Sequence, residues 1–246
     1  MSRPQALISG SGSGIGLELA KLLKLRGYFL YGLSRNPCEE IDESLSIDFL
    51  SPDFNDRVHS FLDEKKITHL DYLFLNSGVF GNRIAPLSNV SIPEINEIMS
   101  INFWSHKFLL DSLLHHGCNI KNIVVSSSVA GVRARPGNSG YAISKAALNM
   151  ALSLYALENK ETFVFLLGLC SVESKLSYTI GTLPIEGDFK EIRDLRERAK
   201  SEKYLVTPTQ RSLDILSIIK NKDNLGITSG KFYEVRELLK SNPTQL

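Results

Sequence analysis

Short, nearly continuous apolar runs recur along this chain, and they constrain its fold more than any other feature. Residues 6–9, 29–33, 45–47, 72–75, 123–126, 163–167 and 232–235 are the candidate strands. A strand that alternates apolar and polar residues buries one face. A continuous apolar strand needs cover on both, which crossover helices on a parallel sheet provide. Amphipathic stretches fill the gaps. Ile15, Leu19, Leu22 and Leu23 share a helical face, with Glu18, Lys21 and Lys24 turned away. Phe54, Val58, Phe61 and Leu62 repeat the pattern after Ser51-Pro52-Asp53, a helix start. Ser91-Ile92-Pro93-Glu94 has capping-box spacing and opens a helix predicted to run to about Leu114. The alternation predicts an α/β chain with a doubly wound parallel sheet of about seven strands, helices on both faces, and a single domain over residues 1–246.

Bulk properties narrow the function classes. A net charge of +1 offers no field to recruit nucleic acid or an acidic membrane. No apolar run approaches the roughly 20 residues of a membrane helix, and residues 1–5 lack a signal core. Cys38, Cys118 and Cys170 are odd in number and far apart, which fits a reducing cytoplasm better than a disulfide framework. His115-His116 has no third ligand at sensible spacing, so no metal is expected.

One segment breaks the rhythm. Residues 171–207 contain no good strand, and 188–200 form a charged, helix-like run. A charge run is ordinarily a solvated helix face. Placed past the sixth strand, at the carboxyl edge where open α/β sheets bind ligands, it is also a candidate lid over a substrate.

The first strand runs into Ser9-Gly10-Ser11-Gly12-Ser13-Gly14-Ile15-Gly16 and then a helix. Glycines let backbone come close to a pyrophosphate, and a helix N-terminus presents free N–H groups and a positive dipole end to it. Gly10, Ser13, Gly14, Ile15 and Gly16 are therefore candidate cofactor contacts in a Rossmann-type fold. Strand two ends in Ser34-Arg35 rather than in a carboxylate. A hydroxyl and a planar guanidinium suit a ribose 2′-phosphate, which favours NADP(H) over NAD(H).

The candidate chemistry lies after strand five. Ser128 is followed thirteen residues later by Tyr141, and Lys145 stands one helical turn beyond that. A phenol ionises near pH ~10, and an adjacent ammonium is expected to lower that value and make it a usable acid or base. Ser128 can then hydrogen-bond a substrate oxygen while Tyr141 exchanges a proton with it. Asn102 falls on the apolar face of its predicted helix, where an amide needs a partner.

The Gly-xxx-Gly-x-Gly loop, Ser128 and the Tyr141-xxx-Lys145 pair together resemble the short-chain dehydrogenase/reductase family across nearly the whole chain. The resemblance implies hydride transfer between NADP(H) and a small carbonyl or alcohol, with Asn102, Ser128, Tyr141 and Lys145 as the catalytic set. It implies that Lys145 also holds the nicotinamide ribose, and that Asn102 disturbs its helix and holds a water linked to Lys145. Asp48 would sit beside the adenine at the end of strand three. Asn76-Ser77-Gly78 would form the switch-point turn, with Ser77 in place of alanine. Val172 matches the family's nicotinamide loop and Ser174 stands there in place of threonine, keeping a hydroxyl, but Leu169-Cys170 replaces its Pro-Gly. Association as a homodimer or homotetramer through the helices holding Asn102 and residues 141–157 is a further implication. Among members, 3-oxoacyl-carrier-protein reductases and sepiapterin- or benzil-reductase-like enzymes remain open. A non-enzymatic NADP(H)-binding sensor or scaffold of the same fold is the alternative; loss of Tyr141 or Lys145 would have supported it, and both are present.

Overall fold

In the computed structural model, residues 3–202 and 204–241 are described; Met1 and Ser2 of the N-terminal stretch and Lys203 of the 171–207 segment lie outside the described residues. The chain begins with β1 (Gln5–Ser9), α1 (Gly14–Leu25), β2 (Phe29–Ser34), β3 (Glu43–Ser46) and α2 (Phe54–Lys65). A short β4 (His69–Leu70) precedes β5 (Tyr72–Leu75), followed by α3 (Ile92–Met99) and α4 (Ser105–His115). Next come β6 (Asn119–Ile120), β7 (Asn122–Ser127), α5 (Ser139–Glu158) and β8 (Phe163–Gly168). The last elements are α6 (Lys175–Thr182), α7 (Lys190–Ala199), α8 (Pro208–Lys220), β9 (Phe232–Glu234) and α9 (Val235–Ser241).

Seven strands form one parallel sheet in the order β3-β2-β1-β5-β7-β8-β9. β4 and β6 pair separately, just before β5 and β7. Period-two geometry sends alternate side chains to opposite faces. Leu7, Leu73, Leu75, Ile123 and Val125 face one layer, where they meet Val58 and Phe61 of α2, Leu109 and Leu113 of α4, and Leu148 and Leu152 of α5. Ala6, Ile8, Phe74, Val124 and Phe165 face the other, against Leu19 and Leu23 of α1 and Ile215 and Ile219 of α8. Each such side chain contributes about 1.5–3 kcal/mol when fully buried. The continuous apolar runs are thus explained by cover on both faces.

β1 pairs with both β2 and β5, so the winding direction reverses beside it. A crevice at the carboxyl ends of β1 and β5 follows from that reversal. The helix opened by Ser91 has both halves of its capping box, but it is not continuous. Residues Ser100–Trp104 form a π-helical turn between α3 and α4. Among the described residues, segment 171–207 holds α6 and α7 and adds to them only isolated bridges, Val172 to Val206 and Ile185 to Ile84.

Candidate active site

A cleft of about 800 Å³ opens at the switch point. One end is built on the glycine loop. Gly10 has φ +71°, and a Cβ there would lie 3.0 Å from the backbone of Ser77. Gly14, at φ +55°, faces open space at the start of α1. Ser13 provides no side-chain cap to α1, and no acidic residue stands in its first turn. The first amides of this helix therefore have neither a capping oxygen nor a neutralising carboxylate, which suits a pyrophosphate. Gly10, Ser13, Gly14 and Ile15 line the cleft. Gly16 does not: a Cβ there would stand 2.1 Å from the Gly10 carbonyl, so this glycine lets helix and loop pack behind the cradle.

Ser34 and Arg35 reach the same cleft in different ways. Ser34 is buried, and its hydroxyl donates to the Asn36 carbonyl at 2.9 Å. Arg35 is exposed, and among the described residues its guanidinium has no carboxylate partner. Of the two, Arg35 is the one that leaves charged donors open to the cleft. Asp48 also lines the cleft, but it follows β3 by two residues instead of ending it. Its carboxylate accepts from the Leu50 amide at 3.0 Å and shapes a turn.

At the switch point, Asn76 ties three strand ends together. Its amide N–H donates to Ser9 Oγ (2.9 Å), its Nδ2 to the Gly10 carbonyl (3.4 Å), and its Oδ1 accepts from Ser126 (2.9 Å). Gly78 lies beside Asn102 and Lys145: a Cβ there would sit 3.3 Å from Asn102 Oδ1 and 3.5 Å from Lys145 Nζ. Asn102 is fully buried in the π turn. Its Oδ1 accepts from the Val79 amide, and its Nδ2 donates to the Val79 carbonyl and to Ser144 Oγ, all at 2.8–2.9 Å. The helix is thus disturbed where the asparagine reaches sideways to backbone. Asn102 backs the cleft rather than lining it.

Ser128, Tyr141 and Lys145 do line it. Tyr141 is 8% exposed and Lys145 3%. The Ser128 hydroxyl acts on the Tyr141 phenol across the cleft wall. Burial pushes the Tyr141 phenol up, and the Ser128 hydroxyl only partly offsets this. The expected lowering by Lys145 is not found. Lys145 Nζ donates to the Ser126 carbonyl at 2.8 Å and stands 5.9 Å from the centre of the tyrosine ring. Its own pKa falls to about 8 because it is desolvated, which weakens the charge that was expected to act on Tyr141.

Cys170 takes φ +61°, a left-handed conformation natural to glycine, so the loop keeps the turn without the glycine. Its Sγ contacts Glu234 Oε1 at 3.3 Å. Val172 and Ser174 line the cleft, and Ser174 caps α6 by accepting from the Ser177 amide at 3.2 Å. Beyond Tyr141 the lining mixes apolar side chains, Phe80, whose ring centre is 5.4 Å from that of Tyr141, with Ile98, Ile101 and Leu176, and charged ones, among them Arg83, Glu94 and Glu97.

One contributor escapes sequence reasoning. His106 is fully buried, and its Nε2 lies 2.7 Å from Ser77 Oγ and 3.3 Å from Ser9 Oγ. Burial, then the nearby Lys145 charge, depresses its pKa to about 3, so the ring is neutral. The available signal was a pair: a serine at 77 where alanine is usual, and a histidine one turn after Asn102.

Residues 4–172 match the family model for short chain dehydrogenase. The chain belongs to the short-chain dehydrogenase/reductase family. It is 36% identical over 153 residues to the uncharacterized oxidoreductase YbbO of Escherichia coli (strain K12), covering 58% of this chain and 55% of that protein. The chain thus spans little more than half the length of this curated relative. A short chain dehydrogenase family protein from Francisella tularensis superposes with a TM-score of 0.76 at 18% identity, covering 95% of this chain and 97% of that one. The 3-ketoacyl-(acyl-carrier-protein) reductase of Brucella melitensis, complexed with NADH, gives a TM-score of 0.72 at 20% identity, covering 94% and 96%. Both structures show the fold. No helix among the described residues is long and apolar enough to cross a membrane.

Proposed function

We propose that this protein is an NADP(H)-dependent oxidoreductase that reduces a small carbonyl compound to an alcohol, with Tyr141 as the proton donor. One observation carries the reading: a glycine loop under an uncapped helix and the set Ser128, Tyr141 and Lys145 line a single cleft. When bound there, the nicotinamide supplies the hydride or, in reverse, accepts it. Ser128 orients the substrate oxygen by hydrogen bonding. Tyr141, kept neutral by burial, donates its proton to that oxygen as negative charge develops. Lys145, anchored on the Ser126 carbonyl, would hold the ribose hydroxyls, and Asn102 would hold a water behind it. Asn76 and Gly78 shape the floor of the cleft, Asp48 would contact the adenine, and Val172 and Ser174 would hold the carboxamide. The apolar residues Phe80, Ile98, Ile101 and Leu176 suit a carbonyl compound with a hydrophobic part beside the carbonyl. Segment 171–207 acts as the lid, and the active unit is a homodimer or homotetramer. The three free cysteines fit a cytoplasmic setting.

The test is cofactor choice. NADPH is expected to give a higher kcat/KM than NADH. Arg35→Ala is expected to lower the NADPH value by roughly tenfold or more and leave NADH nearly unchanged, because charge-assisted hydrogen bonds contribute about 1.5–3 kcal/mol. A parent enzyme that prefers NADH, or an unchanged ratio in Arg35→Ala, contradicts the assignment of NADP(H).

A further inference from the structure

Five arginines gather on the far side of the nicotinamide loop, away from the cofactor end of the cleft. Tyr204 lies between two of them. The Arg236 guanidinium lies 5.0 Å from its ring centre and the Arg198 guanidinium 6.0 Å. Arg135 is in reach of Arg133 and Arg198, and burial together with those like charges lowers its pKa. Arg211 is in reach of Arg236 and is only 2% exposed.

These charges are not balanced locally. Glu234 acts on Arg135, Asp194 on Arg198, Glu237 shares a groove with Arg133, and Asp214 lies 3.4 Å from Arg211. Five guanidiniums thus meet four carboxylates. Among the described residues, Arg133, Arg135, Arg198 and Arg236 make no ion pair. The Arg211–Asp214 contact is not aligned as a hydrogen bond at Nη1, so both Nη1 and Nε of Arg211 are buried without an acceptor. Buried donors without acceptors and repelling neighbours both cost stability, and an oxyanion relieves both at once.

Tyr204 reports the same field. Burial pushes its phenol up, but hydrogen bonds to Ser171 and Arg236 and the charges of Arg198 and Arg236 outweigh that and bring it below its usual value. The cluster is held in place by backbone. The Val206 amide donates to the Ser171 carbonyl at 3.1 Å, and the Glu173 amide donates to the Val206 carbonyl at 2.9 Å. Tyr204 is therefore pinned beside the loop whose other side, at Cys170 and Val172, lines the cleft.

We propose that Arg133, Arg135, Arg198, Arg211 and Arg236 form an anion site around Tyr204 that takes a phosphate-type oxyanion. The source is either free phosphate or a phosphate group carried on the substrate, and the test separates the two. Inorganic phosphate is titrated calorimetrically into the intact protein at constant ionic strength, with and without saturating NADP(H). One binding event is expected to survive the added cofactor and to persist in Arg35→Ala. It is expected to weaken by roughly tenfold in Arg236→Gln and in Arg198→Gln, each of which removes a charge-assisted contact. Arg198 is exposed at the end of α7, so its variant tests the site even if Arg236→Gln folds poorly. Competitive inhibition of carbonyl reduction by phosphate assigns the site to a group on the substrate. Non-competitive behaviour assigns it to free phosphate. No phosphate binding in the presence of cofactor, or equal binding in parent and Arg198→Gln, overturns the proposal.

Discussion

At residue scale the site turns on how burial competes with neighbours. Tyr141 and Lys145 stand one helical turn apart, yet neither ionises as that spacing alone implies, because desolvation disfavours both the phenolate and the ammonium. His106 shows the same effect with a measurable consequence. Its folded pKa of about 3 lies below its ordinary 6.5, so between these values the unfolded chain binds a proton that the folded one does not. Stability contributed by the neutral ring is complete above pH 6.5 and is lost as pH falls toward 3, at up to about 1.4 kcal/mol per pH unit. Denaturant unfolding of parent and His106→Gln from pH 7 to 4.5 is expected to show the shallower acid loss in the variant; parallel curves contradict this. Ser128, Tyr141 and Lys145 were legible in the sequence because their spacing along one helix and one strand end fixes their geometry. The Ser9–Ser77–His106 network was not, because it joins residues 68 and 97 positions apart that meet only after the sheet forms. Cys170 was equally hidden, since a positive φ leaves no mark on a cysteine.

At the scale of elements, the seven strands of the main sheet were readable to within a residue or two because most need cover on both faces. β3, a partly exposed edge strand with a weak apolar signal, shifted most, and the two-residue strands β4 and β6 were not anticipated. The π turn within the long helix could not be read from periodicity, since it is set by the reach of Asn102 to Val79. The 171–207 segment is tied to the loop that follows β5. Arg83 engages Glu186 through two bonds, at 3.1 and 2.6 Å, and the Glu186 amide donates to the Ile84 carbonyl at 2.8 Å. An exposed pair of this kind contributes roughly 0–1 kcal/mol to global stability. Arg83→Ala is therefore expected to leave the unfolding midpoint almost unchanged while residues 175–199 exchange amide hydrogens faster. Equal exchange in parent and variant contradicts a tethering role for the pair.

For the whole molecule, the outward face of α5 displays Met150, Leu154 and Leu157 at 63%, 49% and 66% exposure, with Trp104 at 56% on the adjoining π turn. Large exposed apolar groups on one face mark an association surface, and a stable interface buries about 800 Å² per partner. Sedimentation of the parent is expected to give a dimer or tetramer, and Met150→Glu with Leu154→Glu a smaller species. A monomeric parent contradicts assembly through this face. The central claim is more local: one buried phenol delivers the proton in carbonyl reduction. The direct measurement is NADPH oxidation across a panel of hydrophobic carbonyl compounds by the parent and by Tyr141→Phe, with cofactor binding followed in both. The account predicts turnover by the parent, unchanged cofactor binding in the variant, and a fall in kcat of roughly 10²–10⁴-fold. A Tyr141→Phe protein that retains most of the parent's turnover contradicts it.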